Sequence, residues 1–222
     1  MAFLIFDFDG TIADTLDAIV RITNRLAAEY GYPQTTPERL KYYQTLNTQE
    51  LLKQSEIPFY QLPFLLRRVR RELGAEVTSI LPIAGLPEAL RALAAEHQLV
   101  IASSNSPRNI QFFLEQHQLS SVFNSVYANV GLLGKARVLN RLLRRLRLEA
   151  QTTLYVGDET RDIEAARQVG IAIAAVSWGF SSRQALAKHN PTFLVDAPGQ
   201  LVETAQHLAD LAIPDPGRMR QE

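Results

Sequence analysis

Short apolar runs alternate with helical stripes along most of the chain. The first run, Phe3 to Phe6, leads directly into two aspartates and a glycine. Similar runs recur near 99–102, 154–156 and 171–176, with weaker ones near 125–128 and 193–195. An unbroken apolar run of this length is typical of a strand that is buried on both faces. Strands that alternate with helices predict an α/β fold with a parallel central sheet covered by helices.

The segment from residue 15 to residue 82 has a different pattern. Its apolar residues first recur at helical spacing up to Tyr30, where Gly31 ends the stripe. Several short helices are predicted next, the last of them closed by Gly74, and no strand pattern occurs before Ser79. A connection rich in proline and glycine follows and is a candidate hinge. We therefore predict three parts: an α/β core of residues 1–14 and 83–212, a helical insertion of residues 15–82, and a frayed tail over 213–222.

Composition excludes several classes of function. The chain has 222 residues, a formal net charge of zero and no cysteine. It can bury a sizeable core, and its charge predicts no general attraction to nucleic acid or to a membrane surface. Without cysteine there is no disulfide, zinc–thiolate site or thiol catalysis, which fits a reducing compartment. The first apolar run meets Asp7 too early for a signal peptide, and no run reaches membrane-spanning length. We expect a cytoplasmic protein, whose oligomeric state stays open.

Two carboxylates follow the first predicted strand. Asp7 and Asp9 lie where open α/β sheets bind their ligands, at the carboxyl end of a strand. Two carboxylates this close repel each other, so a cation would be needed to keep both ionised. Oxygen ligands of this kind suit Mg²⁺. The alternative is a plain strand followed by an Asp-Gly turn.

Polar residues also follow the second strand. Ser103, Ser104 and Asn105 lead into Ser106 and Pro107, which are typical of a helix N-cap and first helical residue. Hydroxyl groups and free backbone N–H groups at a helix N-terminus form a ready anion site. A capping loop with solvated serines is the alternative.

Three further charged residues lie at predicted element boundaries. Gly157 and Asp158 directly follow the fourth strand, and Asp162 comes about one helical turn later. An acidic residue in a first helical turn is also explained by the helix dipole alone. Lys135 opens another helix and is a compact charge suited to phosphate or aspartate, although it could equally be an ordinary surface lysine.

The order of these motifs resembles that of the haloacid dehalogenase (HAD) superfamily of phosphohydrolases. The resemblance spans residues 3 to about 200 and implies a Rossmann-like core. The helical insertion looks like that superfamily's C1 cap. The position of the insertion and the stretch from Gly157 to Ala166 are similar to the phosphoglycolate phosphatase subgroup.

The resemblance implies catalytic roles for four residues. Asp7 would be the nucleophile that forms an aspartyl-phosphate. Asp9 would protonate the leaving oxygen and then activate water. Ser103 would bind the transferring phosphoryl group, and Lys135 would neutralise its charge and hold Asp7.

The resemblance also implies a metal site and a phosphate site. Asp158 would ligate Mg²⁺, with the Asp9 backbone carbonyl facing the metal and Asp162 nearby through Lys135 or a water. The implied metal set is Asp7, Asp9, Asp158 and Asp162. The implied phosphate-binding set is Gly10, Ser103, Ser104, Asn105 and Lys135, with backbone N–H groups of Gly10, Ser104 and Asn105 as donors.

The implied reaction is Mg²⁺-dependent hydrolysis of a small phosphomonoester, with phosphoglycolate as the first candidate. Asp9 separates this chain from the dehalogenases of the superfamily, whose pattern lacks a second aspartate. Thr11 is similar to the phosphatases, whereas the related β-phosphoglucomutases tend to have valine there. The alternatives are a phosphomutase or phosphonate hydrolase of the same fold, and a non-catalytic phosphate-binding module.

Overall fold

The computed structural model describes residues 1–128 and 134–211. It confirms the predicted α/β fold, in which helices surround a six-stranded sheet. The predicted tail over 213–222 lies outside the described residues. No described helix is both long enough and apolar enough to cross a bilayer. The strands are β1 (Phe3–Phe6), β2 (Gln98–Ala102), β3 (Ser125–Tyr127), β4 (Thr153–Gly157), β5 (Ala172–Val176) and β6 (Phe193–Val195). The helices are α1 (Leu16–Tyr30), α2 (Pro37–Tyr43), α3 (Thr48–Gln54), α4 (Leu62–Glu76), α5 (Leu86–Glu96), α6 (Pro107–Gln116), α7 (Lys135–Leu146), α8 (Thr160–Val169), α9 (Arg183–Lys188) and α10 (Gln200–Leu211).

All neighbouring strands of the sheet are parallel, in the order β3-β2-β1-β4-β5-β6. The first strand is therefore central, and its last residue, Phe6, pairs with Ile101 of β2 and Val156 of β4. Because parallel strands end at the same edge, the loops after β1, β2 and β4 meet there. The chain winds in opposite directions from β1, and this switch point is where such sheets bind ligands.

Alternate residues of the central strand enter two separate cores. Leu4 and Phe6 belong to a core that includes apolar residues of α5, α6 and α10. Phe3 and Ile5 belong to the core on the other face, with residues of α7, α8 and α9. This arrangement explains why β1 is apolar at every position, since neither of its faces meets water.

From residue 15 to residue 80 the chain consists of helices joined by loops and contains no strand, as predicted. Helices α1 and α4 pack against each other, with Ile22 and Leu65 among the buried residues of their facing stripes. Helix α4 continues to Glu76, so the prediction that Gly74 closes it is wrong. A Cβ at Gly74 would lie 2.6 Å from the Asn109 side-chain oxygen of α6. This glycine therefore permits close approach of two helices and does not end one.

The two ends of the helical segment lie side by side. Ala13 and Pro82 form an isolated antiparallel bridge. The N–H of Asp14 donates to the Leu81 carbonyl (2.9 Å), and the N–H of Ile83 donates to the Ile12 carbonyl (3.0 Å). An inserted unit needs the chain to leave the core and return to it at neighbouring points, and this pairing supports the predicted boundaries near residues 14 and 82. The boundaries themselves stay a prediction.

Candidate active site

Two buried aspartates follow adjacent central strands. Asp7 comes directly after β1, and its N–H donates to the Val156 carbonyl of β4 (2.8 Å), which continues the strand pairing. Asp158 comes directly after β4. These residues are 3% and 0% exposed, respectively. The sheet register therefore brings together two carboxylates that are 151 positions apart in the sequence.

Asp162 joins these two aspartates from the first turn of α8. One carboxylate oxygen from each of Asp7, Asp158 and Asp162 lies within 4.8 Å of the others. Asp162 also accepts the N–H of Glu159 (3.0 Å), so it caps the helix as its sequence position allows. We call Asp7, Asp158 and Asp162 the carboxylate cluster.

Lys135 links two members of the cluster. Its Nζ donates to Asp7 Oδ2 and to Asp162 Oδ1, and the side chain is almost fully buried. Burial by itself would lower the pKa of Lys135, but the carboxylates of Asp162 and Asp7 outweigh it and raise that pKa well above its usual value. The lysine is therefore firmly protonated and is not a surface residue.

Asp158 lies in a tight cradle of donors. The Thr11 hydroxyl donates to Asp158 Oδ1 (2.6 Å), and the Phe180 N–H donates to Asp158 Oδ2 (2.7 Å). A Cβ at Gly10 would lie 2.4 Å from Asp158 Oδ2, and one at Gly179 would lie 2.2 Å from it. Both glycines are thus needed for backbone to approach the carboxylate this closely.

The charge of the cluster fits a divalent cation. When the three buried carboxylates are ionised, they and the buried Lys135 together have a net charge of minus two. Burial, with the carboxylates of Glu159, Asp162 and Asp7 nearby, raises the pKa of Asp158 well above its usual value. A bound cation would favour the ionised form of Asp158 and so lower that pKa. An all-oxygen donor set of this kind suits Mg²⁺.

Asp9 is held apart from the cluster. The Asn105 side-chain amide donates to both of its carboxylate oxygens, at 3.0 and 3.1 Å. The Asn105 oxygen accepts the Ser106 N–H (2.7 Å) and the Asn109 amide (3.0 Å), which sets the orientation of the side chain. Burial and the Asp7 carboxylate raise the pKa of Asp9 to about 7 even though Asn105 stabilises its ionised form. This pKa suits a group that both gives and takes a proton near neutrality.

The predicted phosphate loop lies at the same sheet edge. Ser103 is buried, and its Oγ accepts the Asn105 N–H (3.0 Å). Ser106 caps α6, as predicted, by accepting the Asn109 N–H (3.2 Å). Two of the three backbone N–H groups predicted to bind phosphate already have partners. The Gly10 N–H donates to the Ala13 carbonyl (2.9 Å), and the Asn105 N–H donates to Ser103 Oγ. For these two amides, phosphate binding would require an exchange of partners.

Several contacts within the site are not evident from the sequence pattern. The hydroxyl of Thr11 reaches Asp158 across 147 positions. The ring of Tyr155 lies under Lys135, with the lysine Nζ 5.8 Å from its centroid. The Trp178 indole donates to the Thr11 carbonyl (3.2 Å) and so fixes the loop after β1. A polar residue inside an apolar strand, such as Tyr155, is the one signal that could have been noticed.

The three carboxylates could hold a metal ion, and they lie at the switch point of a parallel α/β sheet. Carboxylates at strand ends in such a sheet are typical of an enzyme site. Residues 4–176 match the model of the haloacid dehalogenase-like hydrolase family, and the chain belongs to that family. The chain is 36% identical over 209 residues to a phosphoglycolate phosphatase of Synechococcus elongatus, covering 94% of this chain and 99% of the relative. It is 27% identical over 217 residues to a phosphoglycolate phosphatase of Vibrio cholerae, covering 89% and 94%. A crystal structure of a predicted phosphatase from Clostridium acetobutylicum shares the fold, with a TM-score of 0.79, 17% identity and coverage of 93% and 98%.

Proposed function

We propose that the protein is a Mg²⁺-dependent phosphatase that hydrolyses a small phosphomonoester through an aspartyl-phosphate at Asp7. The observation that carries this proposal is the position of the Asp7 carboxylate. It is buried at the end of the central strand, next to a protonated lysine and two further carboxylates. The family and its phosphatase relatives support the same reaction.

Asp7 provides the nucleophile. Lys135 holds Asp7 Oδ2, which leaves the other oxygen for attack on phosphorus. The bond from phosphorus to the substrate oxygen breaks as the bond to Asp7 forms. Mg²⁺, held by the carboxylate cluster, would supply neutralising charge for the phosphoryl oxygens. Lys135 supplies a fixed positive charge at the same place, and such positioning and neutralisation are what phosphoryl transfer requires.

Asp9 moves the protons. In its protonated form it gives a proton to the departing oxygen, so that a neutral alcohol leaves. In its ionised form it then takes a proton from the water that attacks the aspartyl-phosphate, which releases phosphate and restores Asp7. Asn105 keeps the Asp9 carboxylate oriented through both steps.

Ser103 and the start of α6 receive the phosphoryl group. The Ser103 hydroxyl is buried at the end of β2 and can donate to a phosphoryl oxygen while its Oγ accepts from Asn105. Ser104, Asn105 and Gly10 complete the proposed phosphate site. The positive end of α6 favours an anion at this edge.

Phosphoglycolate is the substrate that we test first, because relatives covering nearly the whole chain are named for it. We place the determinants of specificity in the helical insertion, residues 15–82, acting as a cap that closes over the strand ends. A cytoplasmic location, suggested by the absence of cysteine, is part of the same proposal.

The test is release of inorganic phosphate from phosphoglycolate, sugar phosphates and nucleotides, with Mg²⁺ and with a chelator. The Asp7→Asn variant runs beside the wild type. Asp17→Asn is its matched control, since Asp17 is an exposed aspartate of α1. We expect Mg²⁺-dependent release that Asp7→Asn loses by at least about 10³-fold and that Asp17→Asn retains.

Three results would contradict the proposal. Substantial activity in folded Asp7→Asn would remove Asp7 as the nucleophile. Net formation of a phosphorylated isomer would indicate a phosphomutase. Binding of Mg²⁺ and phosphate without turnover of any phosphoester would indicate a binding module.

A further inference from the structure

An arginine-lined cleft lies between α4 and the start of α6. It has a volume of about 670 Å³, and its walls include Arg67, Arg70, Arg71 and Arg108. Polar groups of Thr78, Ser106 and Asn109 also line it. None of Asp7, Asp9 and Asp158 lines the cleft, which borders the proposed phosphate loop through Ser106 and Asn109.

These four arginines stand out for their lack of negative partners within the described part of the chain. Among the described residues, no carboxylate forms an ion pair with any of them, and no acidic side chain lines the cleft. The neighbouring Arg68 of α4 contrasts with them, because it pairs with Glu72 (2.6 Å) and Glu29 (3.2 Å). The charge of Arg68 is therefore balanced by acidic residues, whereas Arg67, Arg70 and Arg71, which line the cleft, have no such balance among the described residues.

This arrangement has two electrostatic costs. Arg67, Arg70 and Arg71 lie at spacings of three and four residues, where like charges on a helix repel each other. Arg108 is the second residue of α6, where the positive end of the helix disfavours a cation. An anion in the cleft would remove both costs.

Hydrogen bonds connect the two sides of the cleft. The Asn109 amide donates to the Arg70 carbonyl (3.1 Å), and the Gln116 amide donates to the Thr78 carbonyl (3.0 Å). These bonds join its two walls at two places. Bonds between the two walls reduce the ordering that a ligand would have to impose when it binds.

We propose that this cleft binds a small polyanionic metabolite, one that carries at least two phosphate or carboxylate groups. Planar guanidinium groups match the oxygens of both kinds of group in two-point contacts. The volume is in the range of clefts that hold small organic ligands and exceeds what one orthophosphate needs. The site goes beyond the proposed phosphatase function and does not depend on it.

The test is calorimetric titration of inorganic pyrophosphate into the full chain without Mg²⁺. We expect Arg67→Gln/Arg71→Gln to weaken binding by at least about tenfold, because two charge-assisted contacts are lost. The matched control is Arg141→Gln/Arg145→Gln, which removes two exposed arginines from α7. We expect it to change the affinity by less than about twofold, since it leaves the cleft intact. Arg108→Gln tests the other wall independently and should weaken binding by about threefold or more.

Each contrary result would overturn the proposal. Equal weakening by both double variants would show a general attraction to positive charge. Wild-type affinity in both Arg67→Gln/Arg71→Gln and Arg108→Gln would place the pyrophosphate elsewhere, including the candidate active site. No binding to the wild type would remove the site. Melting temperatures of all variants establish that they are folded, and Arg108→Gln decides the matter if the α4 variant is not.

Discussion

Replacing Lys135 with methionine removes the positive charge that pairs with Asp7 and Asp162 while keeping a side chain of similar length. In the wild type, the Lys135 ammonium pairs with both Asp7 and Asp162, and all three side chains are buried. The variant leaves both carboxylates without the ammonium group that pairs with them in the wild type. We expect it to be strongly destabilised in metal-free buffer.

The magnitude follows from the cost of breaking a buried pair. Removing one partner of such a pair costs about 3–5 kcal/mol, because the charge that remains is buried and uncompensated. For a chain of this size, that range corresponds to a fall in melting temperature of about 6–20 °C. The penalty should shrink as pH falls. Unpaired carboxylates have raised pKa values in the folded state, so protons bind the folded chain more tightly than the unfolded one, and stability rises from pH 8 toward pH 5.

The assay is a double-mutant cycle by urea unfolding in a chelator at pH 8. Its four proteins are the wild type, Lys135→Met, Asp7→Asn and the double variant. In the double variant, Asp7 is neutral, so one of the two orphaned charges is gone. We expect its loss of stability to be smaller than the sum of the single losses by about 1–3 kcal/mol.

Additive losses within about 0.5 kcal/mol would refute the reasoning. So would a Lys135→Met variant that is as stable as the wild type at pH 8. Addition of Mg²⁺ is the final comparison, and we expect it to recover part of the stability of Lys135→Met, since it supplies the missing positive charge.

Three other substitutions test the site. Gly10→Ala should lose most of the phosphatase activity, because its Cβ would lie 2.4 Å from Asp158 Oδ2 at a backbone φ of +75°. An active variant would show that the loop can move to make room for the Cβ. Thr11→Val removes the 2.6 Å hydrogen bond to Asp158 and should lower the free energy of unfolding by about 1–3 kcal/mol in urea, with an unchanged midpoint as the contrary result. Asn105→Ala should move the alkaline limb of the pH profile of kcat to higher pH. Activity needs protonated Asp9, whose pKa is about 7, and loss of the Asn105 bonds that favour its ionised form raises that pKa further. A limb that stays in place or moves to lower pH would contradict that assignment.

The sequence pattern was sufficient for the fold because the apolar runs and the helical stripes are local. Phe3 to Phe6 is buried on both faces and reads as a strand without any knowledge of its neighbours. Gly74 misled the prediction because its reason lies outside its own helix, at Asn109 of α6. A local pattern does not carry that information.

The chemistry-bearing residues could be selected because they follow strands or lie at the starts of helices, but their mutual arrangement could not be predicted. That Lys135 lies between Asp7 and Asp162 depends on the placement of α7 and α8 against the sheet. The direction of the Asn105 amide depends on donors from Ser106 and Asn109 that fix its oxygen. For the same reason, the contact between Thr11 and Asp158 could not be predicted. The sequence singled out Thr11 only by its likeness to phosphatases.

The pairing of Ala13 with Pro82 has a consequence for how such a protein can change over time. Since the chain leaves the sheet and returns to it at adjacent points, a short turn could join residue 13 to residue 82 without disturbing β1 or β2. The intervening helices can therefore be lengthened, shortened or exchanged while the strand-end carboxylates keep their positions. With selectivity placed in the insertion, as we propose, selectivity and chemistry would be encoded in stretches of chain that can evolve separately.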